Sequence, residues 1–204
     1  MNSSASRRVS LSALLLFAFS ARTAAIKINI TVQDIDRALV IARATEGERA
    51  RFHAQYIQQL NMPFVERAEV VTELRRVVLL AEEQTAKGDR LFAYSTSRAD
   101  DALKVWRRRV SVVARIRFHP QNNYVDAPPV TITLSGNERA LIGVRREAIR
   151  ALPPGRKGAF VPVLGAVVEG VFEADAVGQA VREFVIALEG HELARVTFNL
   201  GALE

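Results

Sequence analysis

Only three histidines occur in this chain, His53, His119 and His191, so any acid–base or metal chemistry would have to be built from few parts. His119 ends a predicted strand just before Pro120, with Arg117 beside it and Asp126 in the adjoining loop. These three are the nucleus around which a hydrolytic or ligand-binding site could be assembled from separated residues. His53 stands in a predicted helix with no histidine or carboxylate four residues away, and His191 lies in a predicted turn. His191-Glu192 is followed by Leu193, Ala194 and Arg195, so the two-histidine helical zinc motif is missing.

Nucleophile and phosphate motifs are also missing. Leu134-Ser135-Gly136 ends a strand and lacks the first glycine of a nucleophile elbow. Gly155-Arg156-Lys157-Gly158 offers amides and cations to an anion, but without P-loop spacing or a strand–turn–helix frame. Glu169 and Glu173 share a strand face about 13 Å apart, beyond the separation of a glycosidase pair. With no cysteine there is no thiolate nucleophile, disulfide or lipidated N-terminal cysteine. These residues assign neither a cofactor nor a metal, and the expectation is a non-catalytic protein. The alternative is an exported hydrolase or small-ligand-binding enzyme assembled around His119.

Charge gives a second kind of candidate. Residues 104–157 hold 12 basic and 3 acidic groups, +9, against −1 for 26–103 and −5 for 158–204. Arg145, Arg146, Arg150, Arg156 and Lys157 are the expected contacts for an anionic partner. The competing expectation is neutralisation within the molecule by the acidic C-terminal strands. No aromatic residue except Trp106 is interleaved, so no base-stacking platform is expected, and Trp106 falls at a core spacing.

Address decides between partners. Residues 1–25 combine Arg7 and Arg8, an apolar run from Leu11 and the small-residue end Thr23-Ala24-Ala25, the pattern of a cleaved export signal. Ser6 to Leu11 partly matches a twin-arginine signal, with Ser10 where a large apolar residue is usual. The run is too short to span a bilayer, so no transmembrane anchor is expected. The unbroken Leu14-Leu15-Leu16-Phe17 argues against an amphipathic transit helix. Removing Arg7, Arg8 and Arg22 halves the net charge from +6 to +3. A periplasmic or secreted location excludes nucleic acid as the default partner and favours an envelope protein or an anionic envelope polymer or lipid.

The elements that must position these residues follow from periodicity. Thr31-Val32-Gln33-Asp34 and Thr45-Glu46-Gly47-Glu48 are capping boxes that open two helices. A third helix is expected from Asn61, with Pro63 in its first turn, to Gly88-Asp89, striped by Val70, Val71, Leu74, Val77, Val78 and Ala81. A fourth opens at Ser97-Arg98-Ala99-Asp100. From Arg109 the period becomes two, and strands are expected at 109–119, 130–134, 166–174, 181–188 and 192–200, with Glu189-Gly190 as a tight turn. Arg139–Lys157 reads as a long loop. The expected fold is α+β. A helical unit of three to four helices (26–108) packs on an antiparallel β-sandwich-like domain (109–204).

Overall fold

The structure, a computed structural model, describes residues 29–150 and 163–203. The expected export signal and the candidate contacts Arg156 and Lys157 lie outside the described residues. Helix α1 (Val32–Ala42) and helix α2 (Glu46–Ala54) start at the expected capping boxes. The Thr31 and Thr45 hydroxyls accept from the amides of Asp34 and Glu48, whose carboxylates accept from the threonine amides. Each box satisfies donors that a helix start leaves orphaned.

The next segment departs from expectation. Residues 57–71 form a hairpin of β1 (Ile57–Gln59) and β2 (Val65–Val71), and helix α3 (Glu73–Ala86) begins only at Glu73. Val65, Ala68 and Val70 are buried at near-alternate spacing around an irregularity at Glu66, a strand pattern that the helical stripe also fits by its later members. Pro63 therefore sits in the hairpin connection. Thr72 caps α3, its hydroxyl accepting from the Arg75 amide at 3.3 Å. Helix α4 (Thr96–Leu103) follows, capped by Ser95.

Strands β3 (Arg109–Arg117), β4 (Val130–Leu134), β5 (Leu141–Arg150) and β6 (Val163–Glu173) come next. A single turn, α5 (Ala174–Val177), leads to the hairpin of β7 (Val181–Leu188) and β8 (His191–Asn199). Strand β5 occupies part of the segment expected to be a long loop. Its alternation is masked because the exposed Arg146 holds the register of the inner face and the ladder with β6 is irregular at both ends, near Leu141 and Ile149. Positive φ at Glu189 (51°) and Gly190 (83°) makes the expected tight turn.

Two antiparallel sheets result, ordered β1-β2-β3-β6-β5 and β4-β7-β8. The molecule is thus mixed helix and sheet, with helices first and mainly strands after. On the larger sheet, Ala68, Val70, Val112, Ala114, Ile116, Val168 and Phe172 share the inner face and are buried. The smaller sheet meets that face: the rings of Phe172 and Phe184 lie 5.3 Å apart, edge on. A Cβ built on Gly170 would come within 3.1 Å of the Ile132 Cβ. Helical residues such as Ile35, Leu39, Val77 and Val78 belong to the same continuous apolar cluster as both sheets.

Candidate binding face

The other face of the larger sheet carries the polar chemistry. Its residues, by strand register, include Arg67 and Glu69 on β2, Ser111, Val113 and Arg115 on β3, Val167, Glu169 and Val171 on β6, and Arg145 and Glu147 on β5. Helix α3 starts one residue after β2 and lies across one end of this face. Two adjacent arginines anchor it there. The Arg75 side chain, 2% exposed, pairs with Glu69, donates to the Val70 carbonyl at 2.6 Å and lies over the Tyr56 ring. Burial pushes the Arg75 guanidinium below its ordinary value, and Glu69 opposes that shift. Arg76 donates to Glu169 Oε1 at 2.7 Å and Ser111 Oγ at 2.8 Å, with the Trp106 ring 4.0 Å away.

His53 joins this anchor from α2. Its Nε2 lies 3.1 Å from Glu82, and its Nδ1 accepts from Arg75 Nε at 3.4 Å. The imidazole thus stands between the Glu82 carboxylate and the Arg75 guanidinium. Glu73 makes a second knot, its buried carboxylate accepting from the amides of Ile30 (3.1 Å) and Arg108 and from Arg107 Nη1 (3.4 Å). Sequence reasoning missed both knots because Glu82, Glu169 and Glu73 are far in the chain from His53, Arg76 and the Ile30 and Arg108 amides, and Glu69 meets Arg75 only across the strand–helix junction.

Beyond α3 the face opens into two shallow grooves. One, about 220 Å³, lies between Arg76, Val113, Val167, Arg145 and Glu147. The other, about 310 Å³, is bounded by Glu66, Arg115, Arg117, Ile149 and Leu164. Between them Glu66 accepts from Arg115 at 2.9 Å and Arg117 at 2.7 Å. The hydrogen bond from Arg117 leads in holding the Glu66 carboxyl below its usual range.

The candidate cations are split. Arg145 projects on this open face, 3.9 Å from Glu147. Arg146 turns to the start of β4, donating to the Val130 carbonyl at 2.7 Å, and Arg150 to the loop before it, donating to the Val125 carbonyl at 2.9 Å. The wider cationic segment is paired mostly from the N-terminal half: Lys104 with Asp101, Arg107 with Asp100 and Glu73, Arg115 and Arg117 with Glu66. The acidic C-terminal part supplies Asp175 to Arg108. Among the described residues these ion pairs draw mainly on acids that precede residue 104, not on the acidic C-terminal strands that the competing expectation named.

The His119 cluster is not drawn together. His119 Nδ1 accepts from the Gln121 amide at 3.2 Å, Asp126 lies 3.6 Å from Arg150, and Arg117 is engaged with Glu66. Among the described residues no group of three His, Asp or Glu side chains converges as a metal site, and no helix is long and apolar enough to cross a membrane. Trp106 is half-buried against Arg76 rather than fully enclosed. Comparison with protein-family models, with curated proteins and with solved structures finds no match.

Proposed function

We propose that the chain is a non-catalytic exported accessory, scaffold or binding protein, and that the open face of its larger sheet is the contact surface. One observation carries this reading. Val113, Val167 and Val171 stand half-buried between paired charges on a face that neither the smaller sheet nor the helices beyond α3 cover. Apolar residues interleaved with charges already matched inside the molecule suit a protein partner. Counterion release on a polyanion would be weak here, because Glu169 already holds Arg76 and Glu66 already holds Arg115 and Arg117. The two sheets, touching through Gly170 and Phe172, support the finer reading of a sandwich-like body behind that surface.

The partner class is an envelope protein, with an anionic polymer or lipid as the reading to be beaten. Envelope extract passed over the immobilised protein tests this, with Val167→Asp as comparison. The expected result is one captured protein, retained at physiological ionic strength and lost in the variant. Capture that the variant does not alter would overturn the assignment of this face. Sedimentation with anionic vesicles only at low salt would instead favour the electrostatic reading through Arg145, Arg146, Arg150, Arg156 and Lys157. A hydrolase centred on His119 has no supporting contact among the described residues.

A further inference from the structure

The four edge strands of the two sheets differ in how their outer sides are closed. Strand β1 is three residues long and its Gln58 side chain donates to the Thr197 carbonyl of β8, tying two edges together. The start of β4 is covered by Arg146, whose Nε donates to the Val130 carbonyl. Strand β5 is different. It is ten residues long, pairs on one side with β6, and among the described residues no other backbone hydrogen-bonds to its second side. A long open edge is a template for another strand.

The residues of that edge select what can pair with it. The ladder between β5 and β6 is irregular between Leu141 and Gly143 and again between Ile149 and Arg150, which leaves Gly143–Ile149 as the regular stretch. Its centre is Arg146. An antiparallel partner related by a two-fold axis through Arg146 would use the whole stretch and nothing else. It would set Gly143 opposite the partner's Ile149, Val144 opposite the partner's Ala148 and Arg145 opposite the partner's Glu147.

Charge agrees with this register. The side chains of Arg145 and Glu147 are 74% and 73% exposed and only 3.9 Å apart, a loose pair within one strand. Across the two-fold each arginine would face a carboxylate directly, twice per dimer, and opposite charges in that position are favourable. Shifting the axis to Arg145 or Glu147 would instead set like charges face to face. Arg146 meets its own copy at the axis, but its guanidinium is already drawn to the Val130 carbonyl on the opposite face from Arg145. We propose that β5 is a self-complementary edge through which two copies of this chain pair antiparallel about Arg146, joining the larger sheets into one ten-stranded sheet.

The absence of cysteine makes the register directly readable. Single cysteines are placed at Val144, Arg146 and Ala148 and the proteins oxidised, after circular dichroism confirms that each is folded. Arg146→Cys should give a disulfide-linked dimer, and Val144→Cys and Ala148→Cys alone should not. Because Arg146→Cys also loses a hydrogen bond, the double variant Val144→Cys/Ala148→Cys provides a second route, since each new thiol would face the other's copy. In sedimentation the unmodified chain should dimerise with concentration. Arg145→Glu should weaken the dimer about tenfold or more, and the swap Arg145→Glu/Glu147→Arg should restore it. A monomer at every concentration, or crosslinking strongest at 144 or 148, overturns the proposal.

Discussion

Arg75 is the residue on which the helix–sheet junction depends most directly. It is a charge taken almost wholly out of water, and it is tolerable only because Glu69, the Val70 carbonyl, His53 and Tyr56 surround it. Removing one partner of such a pair costs far more than replacing both. Glu69→Ala is therefore expected to lower unfolding stability by about 3 kcal/mol, while Glu69→Leu/Arg75→Met recovers most of that loss. Urea titrations of the two variants and the parent check this, and equal losses in both would refute it. Glu66 sets a pH dependence at the same scale. Its carboxyl lies below the usual range because Arg117 donates to it, so the folded state binds its proton less readily than the unfolded chain. The stability it adds is present above the ordinary carboxylate range and is lost as pH falls through and below it. Glu66→Gln should flatten that acid limb, an effect kept small by solvent around the pair. Denaturation midpoints measured against pH, with and without the substitution, would show it.

At the scale of elements, the capping boxes at Thr31 and Thr45, the strands β3, β4, β6 and β7 and the Glu189-Gly190 turn were legible because each is written in adjacent residues. The hairpin β1–β2 was not. Val70, Val71 and Leu74 satisfy helical spacing, yet Val70 and Val71 belong to a strand and Leu74 to the helix, and only Thr72 between them marks the boundary. Strand β5 was hidden for another reason: an exposed arginine on the register of the inner face and two irregular ends erase its alternation. The partners of Arg75, Arg76 and Glu73 were beyond reach, since what joins them is the packing of α3 against the sheet and against the segments before α1 and β3. Thr72 can be tested as the boundary. Thr72→Ala removes the hydroxyl that accepts from the Arg75 amide and should cost about 1 kcal/mol, whereas Thr72→Ser, which keeps the hydroxyl, should cost less. Gly190 stands at φ 83° with nothing within 4 Å of a built Cβ. Gly190→Ala is therefore penalised by backbone conformation alone, by about 1 kcal/mol, and Gly190→Asn by less. Chemical denaturation of both pairs separates cap and turn effects from packing.

For the whole molecule, the decisive fact is that β2, from the largely helical half, pairs along its length with β3, from the strand-rich half. The apolar cluster runs without a break from Ile35 and Val77 through Val112 to Phe184 and Phe198. A body with one core and one sheet shared between its halves should unfold in a single transition. The lone tryptophan makes this measurable, because Trp106 rests on Arg76 at the helix–sheet junction, on the other side of the large sheet from the smaller one. Gly170 lies at that far contact, where an added methyl would stand 3.1 Å from both Ile132 and the Phe172 ring, each fully buried. Gly170→Ala should then cost about 1–3 kcal/mol and lower the melting temperature by a few degrees for each of those kcal/mol. If the halves are one cooperative unit, Trp106 fluorescence and far-ultraviolet dichroism will shift by the same amount in this variant, although the substitution touches neither α3 nor Trp106. A fluorescence midpoint left in place while the dichroism midpoint falls would mean that the smaller sheet melts independently of the helices.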